Sequence, residues 1–202
     1  MPSKLLFLPG ASGNTQFWLP VANLLTYPAE KVFLKWPGFG STPPDPKVNC
    51  MHDLVDLVIA EIDQPVALIA QSMGCVMAIH ATLQKPKFVT HLVMAVTSGG
   101  MDLESFGAQD WRPLIHAANP SFPRWFSDYD EDLTPEFHKI QALTLLLWGD
   151  ADPISPVSVG QRLASLLPHA KLHIVSGGDH NLAMIHAKAV APLIDEHLTK
   201  VI

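Results

Sequence analysis

Short, almost continuously apolar runs alternate along the chain with longer stretches in which apolar positions recur at helical spacing. The runs are residues 4–8, 31–34, 66–70, 91–96, 144–148 and 171–175. The helical patterns are 16–25, 50–62, 73–83, 157–167 and 181–197. Runs such as Val66-Ala67-Leu68-Ile69-Ala70 and residues 143–148 show little in/out alternation, as strands covered on both faces by crossover helices do. The expected fold is therefore α/β: a doubly wound, six-stranded, mainly parallel sheet. In such sheets ligands bind outside the carboxyl ends of the strands, so chemistry is sought in the loop after each strand.

The alternation breaks between Ser98 and Lys139, an interval too long for an ordinary connection. It contains Phe106, Trp111, Phe122, Trp125, Phe126, Tyr129 and Phe137, seven of the 16 aromatic residues, which is too apolar for a solvated linker. The expectation is one domain over 1–202 with a small lid inserted at about 98–139. Within it, Asp128-Tyr129-Asp130-Glu131-Asp132 lacks the glycine and spacing of a calcium loop and reads as a solvated acidic turn.

Composition narrows the partners. With 202 residues, 48% of them hydrophobic, the chain can bury a sizeable core and is not disordered. A net charge of −6 gives no broad attraction to nucleic acid or to an anionic membrane. No apolar stretch approaches the roughly 20 residues that span a bilayer. Residues 5–8, ended by Pro9-Gly10, are too short for a signal-peptide core, so a soluble, cytoplasmic protein is expected. Two cysteines, Cys50 and Cys75, suggest neither a disulfide framework nor a cysteine zinc site. Ten histidines include no HExxH pattern, and the pair His169 and His173 flanks a strand start, so no metal is expected.

After the run 66–70 comes Gln71-Ser72-Met73-Gly74 and then an apolar helix, which puts Ser72 at a sharp strand-to-helix turn. Such a turn tolerates only small residues two before and two after the serine, and Ala70 and Gly74 comply. Alone, the pentad would also suit a serine that caps the helix, although the small flanking residues favour the sharp turn. A hydroxyl needs a base to take its proton and a carboxylate to orient that base. Gly149-Asp150-Ala151-Asp152-Pro153 follows the run 144–148, and Gly178-Asp179-His180 follows the run 171–175. A serine, an aspartate and a histidine thus stand in order after three core strands.

With these segments in place the sequence resembles the α/β-hydrolase superfamily over almost its whole length. Gly149-Asp150-Ala151-Asp152 matches the strand-Gly-x-x-Asp segment that carries the family's acid, which points to Asp152 rather than Asp150. Leu8-Pro9-Gly10-Ala11-Ser12-Gly13, with Trp18 behind it, resembles the oxyanion-hole loop, and Pro37-Gly38-Phe39-Gly40-Ser41 the Pro-Gly-x-Gly-x-Ser segment. Ala70, Pro9 and Lys35 depart from the residues the family often has at those places, but none removes a reacting group. The family's N-terminal hairpin has no counterpart, so the first run corresponds to its third strand.

The resemblance implies a cofactor-independent serine hydrolase acting on a small-molecule ester or thioester that carries an apolar group. Ser72 would be the nucleophile, His180 the base and Asp152 its partner, with the amides of Ala11 and Met73 as oxyanion hole. Trp36 and Phe39 border the expected site, and Trp111, Trp125 and Phe126 are the candidate lid contacts. The same triad also serves C–C hydrolases, lyases and acyltransferases, and a ligand-binding protein of the same fold is the non-enzymatic alternative.

Overall fold

The computed structural model describes residues 1–201 and contains a six-stranded sheet in the order β2-β1-β3-β4-β5-β6. The strands are β1 (Lys4–Leu8), β2 (Glu30–Phe33), β3 (Val66–Gln71), β4 (Val89–Ala95), β5 (Leu143–Gly149) and β6 (Ala170–Val175). Every neighbouring pair is parallel, so the sheet is wholly rather than mainly parallel. The helices are α1 (Leu19–Ala22), α2 (Met51–Ala60), α3 (Met73–Gln84), α4 (Arg112–Ala118), α5 (Arg124–Ser127), α6 (Val157–Leu166), α7 (Leu182–Ile185) and α8 (Ala187–Leu198).

The pleat explains the continuous apolar runs. In β1, Leu6 and Leu8 join one core cluster while Leu5 and Phe7 join the other. Leu68 and Ala70 of β3 oppose Ala67 and Ile69 in the same way. One cluster lies under α2, α3 and α6, and the other under α1, α7 and α8. With helices on both faces, the central strands are buried on both sides, and the buried polar side chains they carry, Gln71, His91 and Thr144, lie near the strand ends.

Strand order reverses between β1 and β3, and the loops leaving their carboxyl ends part there, which creates the crevice that a parallel sheet offers to a ligand. Two expected helices are shorter than their patterns. The first shrinks from 16–25 to Leu19–Ala22, and the last splits into α7 and α8 at His186. Between β4 and β5 the chain forms two 3₁₀ turns, Glu104–Phe106 and Thr134–Lys139, with α4 and α5 between them. Phe122, Phe126, Leu133 and Phe137 of this segment are buried in the core cluster of the α2–α3 face. Among the described residues no helix is long and apolar enough to cross a membrane.

Candidate active site

Ser72 lies between the end of β3 and the first residue of α3, at φ +51° and ψ −120°. This conformation costs an L-residue about 1–3 kcal/mol and persists only where its surroundings over-determine it. They do so here. The Ser72 amide donates to Ala95 O at 2.9 Å, and its carbonyl accepts the Thr97 hydroxyl at 2.8 Å. A Cβ on Gly74 would stand 2.6 Å from Pro9 O and 2.9 Å from Leu8 O, so glycine is required where α3 passes the end of β1.

His180 hangs from the loop between β6 and α7 and turns its Nε2 to the Ser72 hydroxyl at 3.1 Å. Its Nδ1 is 2.8 Å from Asp152 Oδ2, which fixes the tautomer with the proton on Nδ1 and leaves Nε2 free to accept from serine. The Asp152 side chain has no exposure to solvent. Its second oxygen, Oδ1, accepts the amides of Ile154 at 2.8 Å and Ser155 at 3.2 Å, so the buried carboxylate is held from both sides. Ser155 in turn donates its hydroxyl to Thr97 O at 3.1 Å, which connects the acid loop to the residue that pins the serine turn. Asp150 and Asp179 take no part: Asp150 accepts the Gly177 amide at 2.6 Å and Asp179 that of Asn181 at 2.8 Å. Cys75, also near the turn, is fully buried, and burial pushes its thiol up to about 12.

These side chains open into a cavity of about 850 Å³ lined by Ala11, Met73, Gln71, Val96, Ser72 and His180 among others. Met73 is the first residue of α3, so its amide has no intrahelical acceptor and is available to an anion beside Ser72. Ala11 faces the same space from the loop after β1. Around the mouth stand Asp102, Glu104, Asp110, Asp130, Glu131 and Asp132, with Arg112 as the one basic side chain lining the cavity.

Of the five aromatic residues expected to meet substrate, Trp111 and Phe126 line the cavity and three do not. Trp36 is wholly buried, and its indole N–H donates to Pro9 O at 2.8 Å, so it braces the loop after β1 from behind. Phe39 is wholly buried and receives Phe122, Trp125 and Phe126 at centroid distances of 5.3, 5.8 and 5.7 Å. Trp125 therefore packs on the body of the protein through Phe39. The cavity also takes in Gln71, Val96, Met101 and Ile154, which the sequence reading did not single out. Val96 carries the one signal of function among them, a φ of +45° that a β-branched residue seldom adopts, but that signal exists only in the fold.

A family model described as the alpha/beta hydrolase family matches residues 5–137, and one described as TAP-like protein matches residues 124–201. The poly(3-hydroxyalkanoate) depolymerase of Ectopseudomonas oleovorans is 46% identical over 61 residues, 30% of this chain and 21% of the relative. The 2-hydroxy-6-oxononadienedioate/2-hydroxy-6-oxononatrienedioate hydrolase of Cupriavidus pinatubonensis is 37% identical over 82 residues, 41% of this chain and 26% of the relative. The chain thus spans about a quarter of the length of the curated relatives it matches. Among solved structures, the alpha/beta hydrolase MGS-MChE2 from a sediment metagenome superposes with a TM-score of 0.77 at 18% identity, covering 97% of this chain and 90% of that one.

Proposed function

Because the chain belongs to the alpha/beta hydrolase family, we propose that it is a serine hydrolase that cleaves a carboxylic ester through an acyl-enzyme at Ser72. The observation that carries this reading is the continuous relay from Ser72 Oγ through His180 to Asp152, at 3.1 and 2.8 Å, on the wall of a cavity. His180 Nε2 accepts the serine proton as Oγ attacks the carbonyl carbon, and the imidazolium so formed is stabilised by the Asp152 carboxylate. The carbonyl oxygen becomes an oxyanion within reach of the amides of Met73 and Ala11. Collapse of the tetrahedral intermediate breaks the bond to the leaving group, which departs with the proton from His180. Water, deprotonated by the same nitrogen, then releases the acid and restores Ser72.

The segment 98–139 acts as a lid whose Trp111 and Phe126 meet an apolar acyl group. Six carboxylates at the mouth against one guanidinium oppose a polyanionic leaving group, so a neutral ester suits this cavity better than a coenzyme A thioester. A fluorophosphonate should label Ser72, and a series of p-nitrophenyl esters and acyl-CoA thioesters of graded chain length should favour the esters. Absence of labelling in protein that binds apolar ligands would instead favour a binding protein of the same fold. The C–C hydrolase reading draws on the 37% identity to the Cupriavidus pinatubonensis enzyme. Cleavage of a vinylogous 1,5-diketone with no turnover of esters would establish it in place of the ester reading.

A further inference from the structure

Away from the serine, three side chains from three elements converge on one point beside the segment 98–139. His52 stands in the first turn of α2, His80 is buried in α3, and Glu131 belongs to the acidic turn that follows α5. One donor atom from each lies within 4.8 Å of the others, and His80 Nε2 is already 3.6 Å from Glu131 Oε2. Tetrahedral zinc, with bonds of about 2.0–2.2 Å to histidine nitrogen and carboxylate oxygen, sets its ligand atoms roughly 3.3–3.5 Å apart. The spacing therefore needs only small side-chain rotations, and His52, being exposed, has the freedom to make them.

We propose that His52, His80 and Glu131 form a zinc site that clamps the segment 98–139 to the α2–α3 pair. Two imidazoles and one carboxylate are a borderline donor set that suits Zn²⁺ over Mg²⁺ or Ca²⁺, which take mainly oxygen. The site adds to the proposed hydrolase function and does not depend on it, since no step of the ester chemistry passes through these residues. The Tyr129 hydroxyl lies beside both groups, 2.9 Å from His80 Nε2 and donating to Glu131 Oε2 at 3.0 Å. It is consequently the group that zinc displaces or recruits as a fourth donor. One ion here would tie residue 52, residue 80 and residue 131 together, and would fix one side of the cavity, since Tyr129 and Glu131 both line it.

The test is titration of chelator-treated full-length protein with Zn²⁺ by calorimetry, and with Co²⁺ followed by its tetrahedral visible absorption. One equivalent should bind, and proteolysis within 98–139 should slow when it does. His52→Ala and Glu131→Gln change exposed side chains and should not endanger folding. Each should weaken binding by more than the roughly 10- to 100-fold that loss of an outer-shell partner costs. His116→Ala serves as control, because that imidazole is committed to the Ser127 hydroxyl at 3.0 Å and should bind zinc as the parent does. Equal binding by all four proteins would put the metal elsewhere and overturn the assignment, as would the absence of binding at micromolar zinc.

Discussion

The loops after β3, β5 and β6 differ in construction from the segment that connects β4 to β5. Each of the three loops leaves a strand paired in a parallel sheet, and each delivers its side chain within a few residues of the last ladder hydrogen bond. The delivered groups are then held by backbone amides and carbonyls, as Asp152 is by Ile154 and Ser155 and Ser72 by Ala95. The segment 98–139 has no such frame. Neither the turn Glu104–Phe106 nor α4 contains a buried residue, and the segment is attached largely through side chains, among them the aromatic rings gathered on Phe39 and the buried Leu133 and Phe137. Backbone hydrogen bonds are directional, whereas aromatic packing fixes position less strictly and tolerates exchange of residues. The structure thus separates a region held by directional backbone hydrogen bonds from one held by ring packing, and on the proposed function the first makes bonds and the second recognises substrate.

The sharpest way to break this separation is to remove the reacting groups. Ser72→Ala and His180→Ala should each lower turnover by about three to six powers of ten, and the double variant should be little worse because the triad acts as a unit. The melting curve of Ser72→Ala should stay near the parent's, since the change removes one hydroxyl and keeps the Cβ that the positive-φ turn already accommodates. Undiminished activity in purified Ser72→Ala would remove the nucleophile from the proposal.

A finer cut compares two aspartates on the same loop. Asp152→Asn leaves a side chain of the same size but disfavours the productive histidine tautomer, and kcat should fall about 10⁴-fold. Asp150→Asn touches only the Gly177 amide and should leave activity within a few-fold. Reversal of the two results would transfer the acid to Asp150.

Stability against pH asks whether the two regions are fastened to one core. His197, near the end of α8 beside the amino-terminal ends of β4 and β5, is 5% exposed, packs edge-on against His91, and has no partner for Nε2. Burial above all, with the neighbouring His91 next, depresses its pKa to about 4. An unfolded histidine titrates near 6.5. As pH falls from about 6.5 towards 4 the unfolded chain binds a proton that the folded chain refuses, so stability is full above that window and declines through it, by roughly 3 kcal/mol. Urea midpoints at pH 7 and pH 4.5 should show the decline, and His197→Leu should flatten it. Protease cutting within 98–139 should follow the same curve, because Phe122, Phe126 and Phe137 share a core cluster with α2 and α3.

The legible part of the sequence coincides with the first region. Strands are readable because runs such as Val66-Ala67-Leu68-Ile69-Ala70 are apolar on both faces, and the triad because Ser72, Asp152 and His180 each sit just past such a run. The segment was legible only as an interruption. Aromatic content indicates packing but not direction, so sequence alone does not separate Trp36, Phe39 and Trp125 from Trp111 and Phe126, of which only the latter two reach the cavity. Direction depends on neighbours far along the chain: Phe39 turns inward because Phe122 and Phe126 arrive from more than 80 residues away. His52, His80 and Glu131 form no motif for the same reason. They are neighbours only once α2 has packed on α3 and the acidic turn has come down beside them.

The smallest expected effect lies in the segment itself, where Trp111 and Trp125 provide a matched pair. Both are half-buried indoles packed against the same core cluster, yet Trp111 lines the cavity and Trp125 does not. If recognition resides in the cavity face, Trp111→Ala should cost a long-chain acyl ester more than an acetate ester. Uncovering about 50–60 Å² of acyl surface at roughly 25 cal/mol per Å² corresponds to about a tenfold loss in kcat/KM. An acetyl group has too little surface to feel the change, so its kcat/KM should hold. Trp125→Ala removes a ring that packs edge-to-face with Phe39, and it should lower the melting temperature while affecting long and short esters alike. Measuring both variants on the same ester series separates contact with substrate from support of the segment. Equal losses across chain lengths in Trp111→Ala, together with a lowered melting temperature, would make Trp111 a packing residue like Trp125 and leave the aromatic roof without its part in selectivity.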